Sequence, residues 1–461
     1  MEQMTIESIS NNNNVRPFPT LPNEITLLIL SYLKQKQRIK ILKVSKAFRN
    51  IIYYSSILWR ETIIYNTRGF GNETLEILKR VHALSARASG LNDEFVRKLV
   101  LGLPGQSLRV LDLSVNDITD NTVFYICNNC PNLQKLFLEG CDEITNIHPL
   151  INLSNNLSTL ILSYCSELLD FTIIDLVSSV FGENLSELDL DGCHRLTDIS
   201  IYRIARYAKN LEYLAIDGQG INDDPIINVF KNCRKLILFS MSFCDSLTDK
   251  CLHHIVLNIN PCLKFLRLRK GLGFTDEGFH DFFKGLSLRN HSFYSLDLSE
   301  CSYLSDMALQ QMPQYDIRWL NLDWCWNVKE NSIHTILNSC PNIQELMVTG
   351  CNDITCESII GKKFLNLKVL NLWSCRTVEL TTLQAISELN KDVYIIDYYG
   401  EVYKNGKRIG FMKEVNIDGE EEELEEQMVL DRELRCDGLL SVGDSLRFFK
   451  GYSKLRQYVH R

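Results

Sequence analysis

From Leu108 onward, apolar and polar positions follow one order that returns every 24 to 30 residues. Leu133, Leu136, Leu138, Cys141 and Ile144 open one copy and Thr145 follows; Leu185, Leu188, Leu190, Cys193 and Leu196 open another before Thr197-Asp198; Leu236, Phe239, Met241, Cys244 and Leu247 open a third before Thr248-Asp249. Twelve starts fall at Leu108, Leu133, Leu157, Leu185, Leu211, Leu236, Leu263, Phe293, Ile317, Ile343, Leu367 and Val393, and a degenerate copy is expected near Val81. The alternation within Leu-x-x-Leu-x-Leu predicts a short strand with every second side chain inward. The cysteine is a small apolar residue where the chain turns tightly into the core. The Thr-Asp or Ser-Asp pair predicts a helix start, because a side-chain oxygen there takes up free N–H groups. Apolar residues three and six beyond it, such as Leu252 and Ile255 after Asp249, mark the inward stripe of that helix. A strand–turn–helix unit of this size cannot bury its apolar face alone, so the copies are expected to stack into a solenoid.

Ahead of the repeats the pattern changes. Leu21, Ile25, Leu28, Ile29 and Tyr32 fall at helical spacing, with Pro22 suited to a first helical position and Glu24 to the first turn. A second helical set is Ile39, Leu42, Val44 and Phe48, and Leu58-Trp59 adds a third apolar point. A segment of about 40 residues buries too little surface to cover all of these side chains. It reads as a helical cap for the solenoid or as a docking module whose open face belongs to a partner. After Tyr398 the repeat stops: Glu401-Val402-Tyr403 and Arg408-Ile409 flank Asn405-Gly406, a hairpin signal. An acidic run follows (Glu420 to Glu423, Glu425, Glu426), then a last apolar set, Leu446, Phe448, Phe449, Tyr452 and Leu455, able to pack back.

The 461 residues are 45% apolar and 23% charged, as in a folded protein. The net charge of −8 argues against a general nucleic-acid coat, although Arg16 to Arg87 carries thirteen Lys or Arg against four acids. That stretch lacks interleaved aromatics, so it reads as a solvated face or as the complement of an acidic partner. Without a long apolar run, a secretory leader or a prenylation cysteine, no membrane association is expected, and the cytoplasm or nucleus is the expected compartment. Eight of the sixteen cysteines, Cys141, Cys165, Cys193, Cys244, Cys301, Cys325, Cys351 and Cys375, share the turn position, and Cys130, Cys233 and Cys340 each lie three residues before a strand's first apolar position. These read as buried thiols. Cys127 with Cys130, and Cys244 and Cys251 with His253 and His254, read as core and helix positions, so neither a metal nor a cofactor is expected.

The copies resemble the cysteine-containing class of leucine-rich repeat over about residues 81–398. The resemblance implies a horseshoe of α/β class, parallel strands on the concave side and helices on the convex side. The N-terminal run Leu21-Pro22-Asn23-Glu24-Ile25-Thr26-Leu27-Leu28-Ile29-Leu30-Ser31-Tyr32-Leu33, with Val44-Ser45-Lys46-Ala47-Phe48 and Leu58-Trp59, resembles the F-box. That resemblance implies an all-α module docking the adaptor subunit of an SCF-type cullin–RING ubiquitin ligase. Leu21, Pro22, Ile25, Leu28, Ile29, Leu33, Val44, Phe48 and Trp59 match its apolar pattern and are the expected adaptor contacts. The chain departs from that pattern at Gln37-Arg38, Ser45 and Phe48. The expected organisation is a disordered start (1–17), the F-box (18–60), a helical linker (61–80), about 12–13 repeats (81–398), and a C-terminal hairpin, acidic run and tail (399–461).

Outward strand positions and the loops after them are the usual binding surface of a solenoid. Here they carry an acidic stripe (Glu187, Asp189, Asp191, Asp217), then basic Arg267, Arg269 and Lys270, then Asp297, Glu300 and Asp323. Four of the five tryptophans, Trp319, Trp324, Trp326 and Trp373, fall outside the inward pattern in late copies. Tryptophan is a frequent anchor of interfaces. Trp319, Trp324 and Trp373, with Arg267 and Arg269, are therefore the expected contacts for an unknown protein substrate, unless the chain's own tail covers the tryptophans. No catalytic nucleophile, phosphate loop or dinucleotide fingerprint is evident, so a non-catalytic substrate receptor is expected. The alternative is a scaffold or inhibitor that binds a partner without ubiquitinating it.

Overall fold

The protein, as a computed structural model, is described for residues 21–33, 35–42, 44–55, 58, 61–65, 85–89, 91–102, 108–153, 156–312 and 316–412. The expected disordered start, most of the expected linker, Val81, Trp59, the acidic run and the tail lie outside these residues.

Among the described residues three short helices come first: α1 (Asn23–Ser31), α2 (Gln35–Ile41) and α3 (Lys46–Tyr54). Sixteen strands then form one sheet: β1 (Glu61–Tyr65), β2 (Ser85–Ser89), β3 (Val110–Asp112), β4 (Lys135–Phe137), β5 (Thr159–Ile161), β6 (Glu187–Leu190), β7 (Tyr213–Asp217), β8 (Leu238–Ser242), β9 (Phe265–Leu268), β10 (Ser295–Asp297), β11 (Trp319–Asn321), β12 (Glu345–Met347), β13 (Val369–Asn371), β14 (Tyr394–Ile396), β15 (Glu401–Lys404) and β16 (Lys407–Phe411). Spatial order equals chain order. Pairing is parallel through β14 and antiparallel for β15 and β16, a hairpin that closes the end of the sheet through Asn405-Gly406, both at positive φ. β1 lies within the segment expected to be a helical linker, so the sheet begins before the expected first repeat.

The register explains the repeat. Leu111, Leu136, Leu160, Leu188, Leu214, Phe239, Leu266, Leu296, Leu320, Leu346, Leu370 and Ile395 are mutual partners across successive strands, and all are buried. Helices such as Asp249–Asn258 cover them, burying Leu252 and Ile255. The turn cysteines form a second ladder. Cys165 donates to the Leu138 carbonyl of the preceding copy at 3.2 Å, Cys193 to Leu162 at 3.1 Å and Cys325 to Leu298 at 3.2 Å. All eight turn cysteines are buried and free of disulfides. Burial pushes the thiols of Cys141, Cys301 and Cys375 up to about 12.

Candidate protein-docking faces

The first candidate face is on α1. Thr26 and Leu30 turn inward and are buried, with Leu27, Leu33 and Phe48 packed partly against the core. On the other side Leu21, Ile25, Leu28, Ile29 and Tyr32 form an apolar strip 44–82% exposed, and Val44 is also exposed. The helical spacing of that strip therefore marks the open face, whereas the core face is built on a threonine and Leu30. Of the nine expected adaptor contacts, Leu21, Pro22, Ile25, Leu28, Ile29 and Val44 are exposed, and Leu33 and Phe48 are half-buried packing residues. Arg38, one of the departures from the family pattern, joins the helices: it donates to the Leu30 and Ser31 carbonyls at 3.1 Å each and to Leu58. The Leu30 carbonyl also accepts from the Leu33 N–H at 3.2 Å, so Arg38 reinforces a helix end that is already capped.

The second face is the concave side of the sheet. Its first outward column runs through Lys135, Thr159, Glu187, Tyr213, Leu238, Phe265, Ser295, Trp319, Glu345 and Val369. The next runs through Phe137, Asp189, Ala215, Ser240, Arg267, Asp297, Asn321 and Met347. Trp319 was expected at an open contact surface but is only 7% exposed, in a cluster with Tyr213, Ala215, Leu238 and Phe265. Arg267 is likewise 1% exposed, its Nε 3.2 Å from Asp297 Oδ2. Both belong to a covered floor, because neighbouring outward side chains in a parallel sheet pack against one another. The acidic stripe is covered too. Burial pushes Asp189 up to about 7, Asp191 beside it adds to the rise, and the Tyr213 hydroxyl donating at 2.7 Å opposes it. Burial likewise raises Asp217 to about 6.

Beyond the strands the chain turns through one left-handed residue immediately before the cysteine: Tyr164, Phe243, Glu300, Trp324 and Ser374, or glycine at Gly140, Gly192 and Gly350. These backbones are held by bonds to the next copy, as from Trp324 N–H to the Thr349 carbonyl at 2.7 Å. Tyr164 and Trp324 lie over the corresponding glycine of the next copy. A Cβ on Gly350 would stand 2.3 Å from Trp324 Cε3, and one on Gly192 would stand 2.6 Å from Tyr164 Cδ1. Trp324 thus sits at the rim, 36% exposed, with Trp326 beside it at 63%. Trp373 packs half-buried against Met347, Val369, Ile396 and Val402. Arg269 is paired with Glu300, Nε to Oε1 2.7 Å. Of the five expected substrate contacts, Trp324 stands on open rim surface and Arg269 is a paired rim neighbour.

Among the described residues no group of three or more His, Cys, Asp or Glu is placed to hold a metal, and no helix is long and apolar enough to cross a membrane. Cys127 and Cys130 are buried thiols, each pushed by burial up to about 12.

The F-box-like family matches residues 18–64, and the family described as leucine-rich repeats in two copies matches residues 106–152. The chain thus matches an F-box-like family near its N-terminus and leucine-rich repeats behind it. It is 25% identical over 367 residues to the DNA repair protein rhp7 of Schizosaccharomyces pombe, covering 65% of this chain and 64% of that one. The DNA repair protein RAD7 of Saccharomyces cerevisiae is 24% identical over 302 residues, 62% of this chain and 48% of its own length. The Antagonist of mitotic exit network protein 1 of Candida albicans is 27% identical over 182 residues, 36% of this chain and 27% of its own length. The chain thus spans between about a quarter and two thirds of these relatives' lengths. Among solved structures, Rad7 in the yeast Rad7 and Elc1 complex superimposes with a TM-score of 0.60 at 20% identity, covering 81% of this chain and 92% of that one. This likeness is one of fold.

Proposed function

We propose that this protein is the substrate-recognition subunit of an SCF-type cullin–RING ubiquitin ligase. The observation that carries the reading is the exposed strip Leu21, Ile25, Leu28, Ile29 and Tyr32, on a helix whose opposite side already fills the core of its own module. An adaptor that covers this strip removes apolar surface from water at roughly 25 cal/mol per Å². Cullin and RING subunits join through the adaptor. Rad7, which shares the fold at low identity, forms a complex with Elc1, and that supports a protein partner for this chain as well. The late repeats supply the substrate surface, with Trp324 as its rim anchor, Arg269 alongside, and Trp319, Trp373 and Arg267 supporting it from below. Turnover then rests on proximity: holding a substrate near a charged conjugating enzyme raises the effective concentration of its lysines, and no catalytic side chain is required of the receptor.

The test is reconstitution. The purified chain is mixed with adaptor, cullin, RING and conjugating enzyme, and partners captured by the chain are offered as substrates. Ubiquitination that depends on both the α1 strip and Trp324 supports the reading. Partner binding without ubiquitination replaces it with a scaffold.

A further inference from the structure

Helices Asp198–Tyr207, Asp223–Asn232, Asp249–Asn258 and Asp276–Leu288 stand side by side in successive copies. Near their C-terminal ends Ala205, Phe230, Val256 and Phe283 turn inward and are buried. The residue after each of these is exposed, and in order they are Arg206, Lys231, Leu257 and Lys284. The loops that lead from these helices into the next strands add Lys209, Arg234, Lys235 and Arg289, also exposed. Acids are sparse along this edge: Asp281 lies beside His280, Glu212 is half-buried, and Glu183 and Asp316 stand in the flanking copies. In a chain of net charge −8, the helix C-terminal edge of these copies is thus a concentrated positive patch.

The needs of the repeat do not account for it. Cations complement the negative end of a helix. Yet helices Asp120–Asn129, Glu330–Ser339 and Leu380–Leu389 finish without a base in the last turn. Open carbonyls at this edge call for donors, and asparagine supplies them. Asn156, Asn210 and Asn366 donate to the carbonyls of Pro131, Glu183 and Pro341 at 3.0, 2.8 and 3.1 Å. The pair before the strand's first leucine or isoleucine is Pro131-Asn132 or Pro341-Asn342 elsewhere but Arg234-Lys235 here. Arg234 has a local role, donating to the Asn258 carbonyl of the next copy at 2.6 Å. The side chains of Lys209, Lys231, Lys235, Lys284 and Arg289 have no ion pair or hydrogen bond among the described residues.

The apolar members of the patch indicate the class of partner. Leu257, 47% exposed, falls in the copy between Lys231 and Lys284, and Leu288, 81% exposed, precedes Arg289. Nucleic acid brings phosphates and flat bases that stack on open rings. Here the ring of Tyr207 already has Arg206 over it, 5.5 Å from its centroid, and the uncharged members are leucines. A peptide that alternates acids with apolar side chains matches both features.

We propose that this edge binds an acidic polypeptide segment whose carboxylates meet Lys231, Lys235, Lys284 and Arg289 and whose apolar side chain rests on Leu257. The surface lies at the opposite ends of the helices from the Trp324 rim. The proposal does not rest on adaptor docking at α1.

Fluorescence anisotropy of the full chain with a fluorescein-labelled peptide of six glutamates and two interspersed leucines tests it. The comparison peptide has serine in place of leucine at equal charge. The leucine peptide should bind more tightly than the serine peptide. Lys231→Glu, Lys235→Glu, Lys284→Glu and Arg289→Glu together should weaken it roughly tenfold or more, with circular dichroism unchanged. Lys363→Glu, Lys368→Glu and Lys391→Glu, on the same edge of later copies, should leave it unchanged. Leu257→Ser alone should bring the leucine peptide down to the serine peptide's affinity. Equal binding of the two peptides, equal loss in both sets of charge reversals, or no effect of Leu257→Ser overturns the proposal. Tighter binding of a single-stranded or duplex oligonucleotide that the same four reversals abolish overturns it in favour of nucleic acid.

Discussion

Asp170 holds Thr197 of the next repeat by both oxygens: Oδ1 accepts from the Thr197 backbone N–H at 2.9 Å and Oδ2 from its hydroxyl at 2.7 Å. The Thr197 hydroxyl in turn accepts from the Ile199 N–H, capping its own helix. The threonine is thus the cap, and the aspartate on the first helical turn ties that cap to the preceding copy. The two-oxygen link returns at Asp93 with Thr119, Asp120 with Thr145, Asp223 with Thr248 and Asp249 with Thr275.

The link is a charge-assisted one, so it should depend on pH. Burial raises the Asp170 carboxyl, but hydrogen bonds from Ser200 and Thr197 outweigh burial and leave it below its ordinary value. A carboxyl depressed in the folded state contributes stability above its unfolded pKa of about 3.9 and loses it as pH falls through the folded value. Asp170→Asn should therefore cost about 1–2 kcal/mol at pH 7. Thermal melts of the two proteins should converge as pH drops below about 4. A gap that stays constant down to that pH would assign the loss to packing instead.

On α1, Leu28 and Ile29 are half-exposed while Leu30 is 2% exposed. The double change Leu28→Glu, Ile29→Glu should abolish adaptor pull-down and move stability by no more than about 0.5 kcal/mol, the usual range for surface changes. Leu30→Ala should do the reverse, costing about 2–4 kcal/mol while leaving the docking strip chemically intact. Differential scanning fluorimetry beside the pull-down separates the two effects.

The turn cysteines should resist alkylation. The thiolate is the reactive species, and burial raises Cys193 and Cys325 well above the ordinary thiol value. Among the described cysteines Cys262 is exposed and should label before the turn cysteines in a timed iodoacetamide footprint of the native protein. Cys193→Ala removes the donor to the Leu162 carbonyl as well as sulfur packing, and should cost about 1–3 kcal/mol. Rapid labelling of Cys193 or Cys325 without unfolding would contradict the ladder.

The inward ladder and the cysteine column are readable along the chain because each copy must satisfy the same core, so spacing alone carries them. Outward positions carry no such constraint. Trp319 and Trp324 both fall outside Leu-x-x-Leu-x-Leu, yet one is floor and the other rim. The difference lies in Phe265 and Gly350, which belong to other copies, and a pattern read one copy at a time does not compare them. A similar limit affects α1, where a buried Thr26 defines the core face and an apolar strip that looks like core is open. Glu61–Tyr65 becomes a strand by pairing with Ser85–Ser89, a partner that spacing within the segment does not reveal.

On the proposed reading, the two tryptophans separate recognition from stability. Trp319 is buried with Leu238 and Phe265, so Trp319→Ala should leave a cavity and cost about 3–5 kcal/mol. Trp324 rests on Gly350 at the rim and is more than a third exposed, so Trp324→Ala should cost little stability but weaken capture of a rim-bound partner by about 2–4 kcal/mol. Gly350→Ala tests the same anchor without removing it. Its Cβ would meet the Trp324 ring at 2.3 Å, and φ of +71° already disfavours a side chain. The ring must move, so partner capture should fall with Trp324 still present. Equal loss of stability in Trp319→Ala and Trp324→Ala, with capture unchanged in both, would remove Trp324 from the recognition surface.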